Sequence, residues 1–240
     1  SAGGFWVSLY VGPLVKFDRQ TGAAAAHYDS GVESVTEIVA DPRNPDLLWM
    51  GTHGGGLAKF RKSDGAFTFY PPDPNDPHKG AGNNYVQEIL LDRRENAIWF
   101  GGLFGGGLNR FDLATETFTR YVAAPNALSA DAIAALHQDD AGILWIGTKG
   151  GGLNRFDPAA QTFAVYSAPQ GVPTDVNGIL ADSDGYLWLS TNDGIVRFQP
   201  DTGRVDRRYT AQDGLQGDQF LPGSAFSVRD GALWFGGTKG

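Results

Sequence analysis

The chain of 240 residues contains no cysteine and only one methionine. Without cysteine there can be no disulfide scaffold, no thiolate-ligated zinc and no thiol nucleophile. No apolar run approaches 18 residues, so nothing in the sequence reads as a membrane-spanning helix. Cationic residues are also scarce, 19 Lys and Arg against 27 Asp and Glu, for a net charge of -8. An acidic chain lacks the basic surface that nucleic acid requires. The opening SAGGFWVSLY has neither a basic stretch nor a long apolar one, so it does not read as a secretory signal. Helical periodicity is nearly absent. What is abundant is glycine, 34 residues, together with six tryptophans and a 41% apolar share that can fill a core.

The tryptophans recur. Trp6, Trp49, Trp99, Trp145, Trp188 and Trp234 lie 43, 50, 46, 43 and 46 residues apart. Around them the sequence repeats as LLWMGTHGGGLAKF, AIWFGGLFGGGLNRF, ILWIGTKGGGLNRF and YLWLSTNDGIVRF, with FWVSLYVGPLVKF at the start and ALWFGGTKG at the end. A period of this length marks a solenoid or a propeller. Within 132–166, four short apolar runs are separated by Asp139-Asp140-Ala141-Gly142, by Lys149 and Gly150–Gly152, and by Asp157-Pro158-Ala159-Ala160-Gln161. Each spacer carries turn chemistry. Four strands joined by tight turns form an antiparallel meander, and meanders repeated at this interval build a β-propeller.

The expected fold is therefore all-β, a β-propeller of four-stranded antiparallel blades. Strands are named A to D from the innermost outward, with the tryptophan on B. The count is 21 strands, forming one array over 1–240. Blades are expected at 35–70, 86–121, 133–166 and 176–209, with partial blades at 1–30 and 224–240. Five to six blades are present, and the array is expected to be an excerpt of a larger ring, seven-bladed in one version.

The repeating unit I-x-x-L-x-x-D-x-x-G-x-L-W-I-G-T-x-x-G-G-L-x-R-F-D, carried best by 139–157 and 182–198, closely resembles the two-component regulator propeller repeat. The stretch Asp213-Gly214-Leu215, Phe220, Gly223 and 231–237 is similar to the last blade of such arrays. Ser190-Thr191-Asn192 and the shortened Val11-Gly12-Pro13 loop depart from the pattern. The resemblance implies a non-catalytic extracytoplasmic or periplasmic sensor of a hybrid histidine kinase or a diguanylate-cyclase receptor. It also implies a β-sandwich, a membrane helix and signalling domains further along the same polypeptide, with a homodimer as one arrangement. It implies no cofactor.

Each remaining motif has a structural reading beside a functional one. Aromatic rings can stack on sugars, but a tryptophan at one fixed strand position per repeat is expected to pack between blades. The triplets Gly54–Gly56, Gly105–Gly107 and Gly150–Gly152 lack the Lys-Ser/Thr and helix of a phosphate loop, so they read as turns. Asp182-Ser183-Asp184-Gly185 begins like a calcium loop but lacks the later ligands. Together with Asp139 and Asp92 it reads as turn capping. The four histidines have no metal-ligand spacing, and no metal site is expected. Neither G-x-S-x-G nor H-E-x-x-H occurs, so no catalytic residue is assigned. A propeller lyase is a second reading of the chain: Trp-Phe-Gly at 99–101 and 234–236 partly matches the W-F-T-E repeat of virginiamycin B lyase. A polysaccharide-acting hydrolase and a protein-interaction scaffold are a third and a fourth.

B–C turns and D–A loops leave a propeller at the same end. The candidate ligand contacts are Tyr10, His53, Phe104, Lys149, Asn192 and Lys239 from the former, and Asn83, Asn84, Tyr85, Gln216 and Asp218 from the latter. The loops at 71–85 and 211–223 are the longest, and long loops in otherwise minimal repeats are often functional. Aromatic, amide and cationic groups together suit an oligosaccharide or a small anionic metabolite.

Overall fold

A computed structural model describes residues 4–8, 11–41, 43–228 and 230–239. Among them are 21 strands, as many as the sequence predicts, and two single-turn 3-10 helices at Ala168–Gln170 and Ala211–Asp213. The first sheet holds β1 (Gly4–Ser8), β2 (Leu14–Asp18) and β3 (Ala24–Tyr28). The second runs β4 (Ser34–Ala40), β5 (Leu47–His53), β6 (Leu57–Arg61) and β7 (Ala66–Tyr70). The third runs β8 (Glu88–Leu91), β9 (Ala97–Gly101), β10 (Leu108–Asp112) and β11 (Thr117–Tyr121). The fourth runs β12 (Ile133–Gln138), β13 (Leu144–Thr148), β14 (Leu153–Asp157) and β15 (Thr162–Tyr166). The fifth runs β16 (Val176–Ala181), β17 (Leu187–Thr191), β18 (Ile195–Gln199) and β19 (Arg204–Tyr209). The sixth pairs β20 (Phe220–Ser227) with β21 (Leu233–Gly237). Every pairing is antiparallel between sequence neighbours, so each sheet is a meander.

The A strand β12 neighbours β8, β16 and β20, and β4 neighbours β8, so these strands stand side by side around the centre. The cores lie between sheets, because one repeat cannot bury its own apolar face. Four B-strand tryptophans meet the C-strand phenylalanine of the next blade: Trp6 with Phe60 at 5.3 Å, Trp49 with Phe111 at 5.4 Å, Trp99 with Phe156 at 5.8 Å and Trp145 with Phe198 at 5.8 Å. A D-strand tyrosine of the tryptophan's own blade closes each set: Tyr28, Tyr70, Tyr121 and Tyr166. Such ring pairs add about 0.5–1.5 kcal/mol beyond the area they bury.

Two partners hold the indoles in place. The A–B turn aspartate accepts the indole N–H in four blades: Asp41 from Trp49 at 3.1 Å, Asp92 from Trp99 at 2.7 Å, Asp139 from Trp145 at 3.0 Å and Asp182 from Trp188 at 2.7 Å. On the neighbouring C strand a cation stands directly opposite: Lys16, Lys59, Arg110, Arg155 and Arg197 in register with the five tryptophans from Trp6 to Trp188. Lys59 lies over the Trp49 ring at 5.6 Å and Arg197 over Trp188 at 5.9 Å. A cation over an indole face is favourable by about 0.5–1 kcal/mol at exposed sites.

Two expectations need correction. Trp234 is 65% exposed, against the core reading of every tryptophan. Val228 stands where the other A–B turns have aspartate, since its N–H bonds Ala232 and its carbonyl accepts from Gly231 as Asp139 does with Ile143 and Gly142. Among the described residues no strand pairs with β21 on its other side. The second correction concerns the loop drawn over 211–223. It contains a 3-10 turn, and β20 starts at Phe220 rather than 224, because Phe220 pairs with Gly237 ahead of a bulge.

Candidate functional site

The B–C turns and D–A loops do meet at one end, through a repeated backbone latch. The N–H groups of Gly54 and Gly56 both donate to the Asn84 carbonyl, each at 3.0 Å. Gly150 and Gly152 donate to Thr174 at 3.0 and 2.8 Å, Gly107 to Asp131 at 3.0 Å, and Gly194 to Asp218 at 2.7 Å. The outer glycines of the triplets have the positive φ that the turn requires, +105° at Gly54 and +71° at Gly56. The strand-end threonine closes the same turn, as Thr52 does by donating to the Gly56 carbonyl at 2.8 Å. Gly102 replaces that threonine in the third blade. A Cβ there would sit 1.8 Å from the Tyr85 carbonyl oxygen, so the D–A loop has taken the space.

Five of the predicted contacts come together above the second and third blades. The His53 ring lies 5.3 Å from Tyr85 and 6.4 Å from Phe104, and Tyr85 lies 5.2 Å from Phe104, all edge to face. Asn83 donates through Nδ2 to the Phe104 carbonyl and accepts from the Tyr85 N–H, both at 2.9 Å. Asn84 supplies the latched carbonyl. The asparagines thus fix the aromatic positions, while Phe104 keeps 68% of its surface exposed. A fixed, exposed aromatic shelf beside amides can stack against an apolar ligand face and hydrogen-bond its edge.

The other candidates fall in two more groups. Asn192 donates through Nδ2 to Asp175 at 2.7 Å, and Asp175 also accepts at 2.8 Å from the N–H of Gly150, the residue after Lys149. Asn192, Asp175, Thr174 and Arg208 line a cavity of about 330 Å³. Gln216 and Lys239 line a second cavity of about 380 Å³ with Phe220, Trp234 and Phe235. Asp218 lies beside it as a structural brace, its carboxylate accepting from Ala211 N–H at 2.6 Å. Tyr10 lies outside the described residues. The long loop at 71–85 is anchored in places and otherwise exposed or half-buried: Ala81 is fully buried, and the His78 carbonyl accepts from Phe118 N–H on β11 at 3.0 Å.

The carboxylates of the acidic turns are engaged in capping. Asp182 Oδ1 accepts from the Asp184 and Tyr186 N–H groups at 3.0 and 2.9 Å, and its Oδ2 takes the Trp188 indole. Asp92 and Asp139 are engaged at both oxygens in the same way. For Asp92, partial burial pushes the carboxyl up, but bonds from the Trp99 indole and the Arg94 and Glu95 amides outweigh it and hold it below the ordinary range.

Sequence reading missed the channel. The A strands enclose a cavity of about 250 Å³ lined by Glu37, Glu88, Gln87, Asn177 and His137, among others. Burial pushes the Glu37 carboxyl up to about 7 against a bond from the Ile89 N–H. Glu88 is raised well above the usual range by burial and by the nearby Glu37 charge. Burial, with Arg93, lowers His137. A signal existed: Val-Thr-Glu-Ile at 35–38 and Val-Gln-Glu-Ile at 86–89 put glutamate at one A-strand position, where the next two blades have Ala135 and Gly178.

The two-component regulator propeller family matches at residues 127–150 and 170–193. Among solved structures, the extracellular domain of a putative hybrid two-component system of B. thetaiotaomicron is similar, with a TM-score of 0.78 at 24% identity, over 97% of this chain and 31% of that one. PorZ, a surface component of the type-IX secretion system of Porphyromonas gingivalis, is similar with a TM-score of 0.72 at 19% identity, over 99% of this chain and 36% of that one. The sequence is 24% identical over 203 residues to histidine kinase P4 of Formosa agariphila, covering 83% of this chain and 15% of that protein. The chain therefore spans about a third of the length of these structures and 15% of the kinase. The protein is a β-propeller array in which two segments, 127–150 and 170–193, match the two-component regulator propeller repeat.

Proposed function

We propose that the chain is the extracytoplasmic sensor propeller of a two-component-type receptor, reading a small molecule or oligosaccharide at its B–C and D–A face. It does no chemistry itself and passes occupancy to signalling domains of the same polypeptide. The observation that carries this reading is the His53–Tyr85–Phe104 shelf, built by loops of two blades on a scaffold whose repeats match the regulator propeller family. The repeats supply the receptor context, since the kinase of Formosa agariphila shares the sequence pattern. The shelf supplies a place to bind: its backbone is latched, so little ordering is required when a ligand arrives.

A thermal-shift screen with oligosaccharides and small carboxylic acids tests it, because a ligand of the native state raises the melting temperature. At least one compound should raise it saturably, and Phe104→Ala should abolish that rise. A panel that gives no shift, or a shift indifferent to Phe104, counts against the reading.

A further inference from the structure

The central cavity has two carboxylates in a lining that also carries Thr36, Gln87, His137 and Asn177 among apolar residues. Glu37 and Glu88 project into it from β4 and β8, and none of its lining residues is lysine or arginine. Glu37 Oε2 accepts from the Ile89 N–H at 2.6 Å, and the Glu88 carboxylate accepts from the Leu136 N–H of β12. Glu88 Oε1 also lies 3.6 Å from the point where a side chain on Gly223 of β20 would begin, so this carboxylate reaches across the channel. A carboxylate can accept about four hydrogen bonds, so each keeps oxygen lone pairs for another partner.

A second observation points the same way. Asn177 lines the same cavity and is fully buried. Its Nδ2 donates to Asn192 Oδ1 and to the Phe220 carbonyl, both at 2.8 Å, which fixes the orientation of the amide. Its Oδ1 is left with no partner. A buried amide oxygen without a donor is unusual and unfavourable. Two carboxylates and an orphaned amide oxygen line one cavity with no lysine or arginine in the lining, and burial disfavours the charged form of His137 beside them, so the three oxygens form a set that calls for positive charge.

We propose that the channel binds a hard cation of calcium size, held by Glu37, Glu88 and Asn177 Oδ1, with water completing the shell. Oxygen ligands without thiolate select against zinc and copper. Magnesium demands near-ideal octahedral geometry at short distances, whereas calcium accepts six to eight oxygens in irregular arrangements. Ligands from three different blades, β4, β8 and β16, suit the more permissive ion. An ion there ties these blades together at their inner edges. This site is independent of the loop-face reading.

Isothermal titration of the chelator-stripped chain with calcium chloride, with magnesium chloride in parallel, tests the proposal. One calcium per chain should bind, magnesium at least tenfold more weakly. Glu88→Gln should weaken calcium at least tenfold, while Asp182→Asn, in an acidic turn, should leave it unchanged. No calcium binding, or binding indifferent to Glu88→Gln, overturns the proposal. If the Gln variant does not fold, the wild-type chain decides: a stoichiometry of several calcium ions per chain, or equal affinity for magnesium, overturns it.

Discussion

Replacing Asp92 by alanine tests the tie between turn and tryptophan. Trp99 is fully buried, and its indole N–H has Asp92 Oδ2 as acceptor at 2.7 Å. Asp92 Oδ1 also caps the turn through the Arg94 and Glu95 N–H groups, both at 2.8 Å. A hydrogen bond to a charged group contributes about 1.5–3 kcal/mol, and a buried donor left unpaired costs a similar amount. The turn amides can turn to water, so the indole dominates, and the loss should be about 3 kcal/mol. For a chain of this size each kcal/mol moves the melting temperature by about 2–4 °C, so a drop of about 6–12 °C is expected by scanning calorimetry. Asp92→Asn keeps an acceptor and should lose less. Asp230→Ala is the control. Asp230 is exposed and accepts from Ala232 N–H at 3.1 Å, while Val228 holds the position that would face Trp234. Its loss should stay below about 1 kcal/mol. Equal drops for Asp92→Ala and Asp230→Ala would refute the assignment.

Other outcomes follow from the same structure. Phe156→Ala empties the seat of Trp99 between the third and fourth blades and should cost about 3–5 kcal/mol in denaturant unfolding. Glu37 binds its proton more tightly folded than unfolded, with its carboxyl at about 7 rather than 4.5. Its contribution is therefore full below about pH 4.5 and is lost as pH rises through about 7, a fall of about 3 kcal/mol. Unfolding in chelator across that window should show the fall, and Glu37→Gln should flatten it. Phe104→Ala should leave the melting temperature within about 1 °C, as expected for an exposed side chain, while removing the ligand-induced shift.

The array was legible because its signals are local and repeated. A tryptophan, a glycine turn and a C-strand phenylalanine recur in phase, and the strands fell where those marks put them. What escaped depends on neighbours. Val228 replaces the turn aspartate by one residue in an otherwise faithful repeat, and Trp234 is exposed although its own segment matches the rest. The start of β20 at Phe220 follows from pairing with Gly237, a contact that no local propensity announces. At the candidate site, the topology of a meander already put B–C turns and D–A loops at one end. The grouping of His53, Tyr85 and Phe104 needed the latch on the Asn84 carbonyl, which is a backbone contact and leaves no side-chain signature. The channel carboxylates were visible as a repeated Val-x-Glu-Ile, but only the inward direction of the A strands gives that repeat a meaning.

Amide hydrogen exchange on the wild-type chain tests the central claim most directly. It compares the free protein with the protein saturated by whichever screened oligosaccharide or acid gives the largest melting shift. The account predicts slowed exchange at 53–56, 83–86 and 102–107, where the latched loops carry the aromatic shelf. Slowing confined to the opposite end, at the A–B turns 92–96 and 139–142, would contradict it.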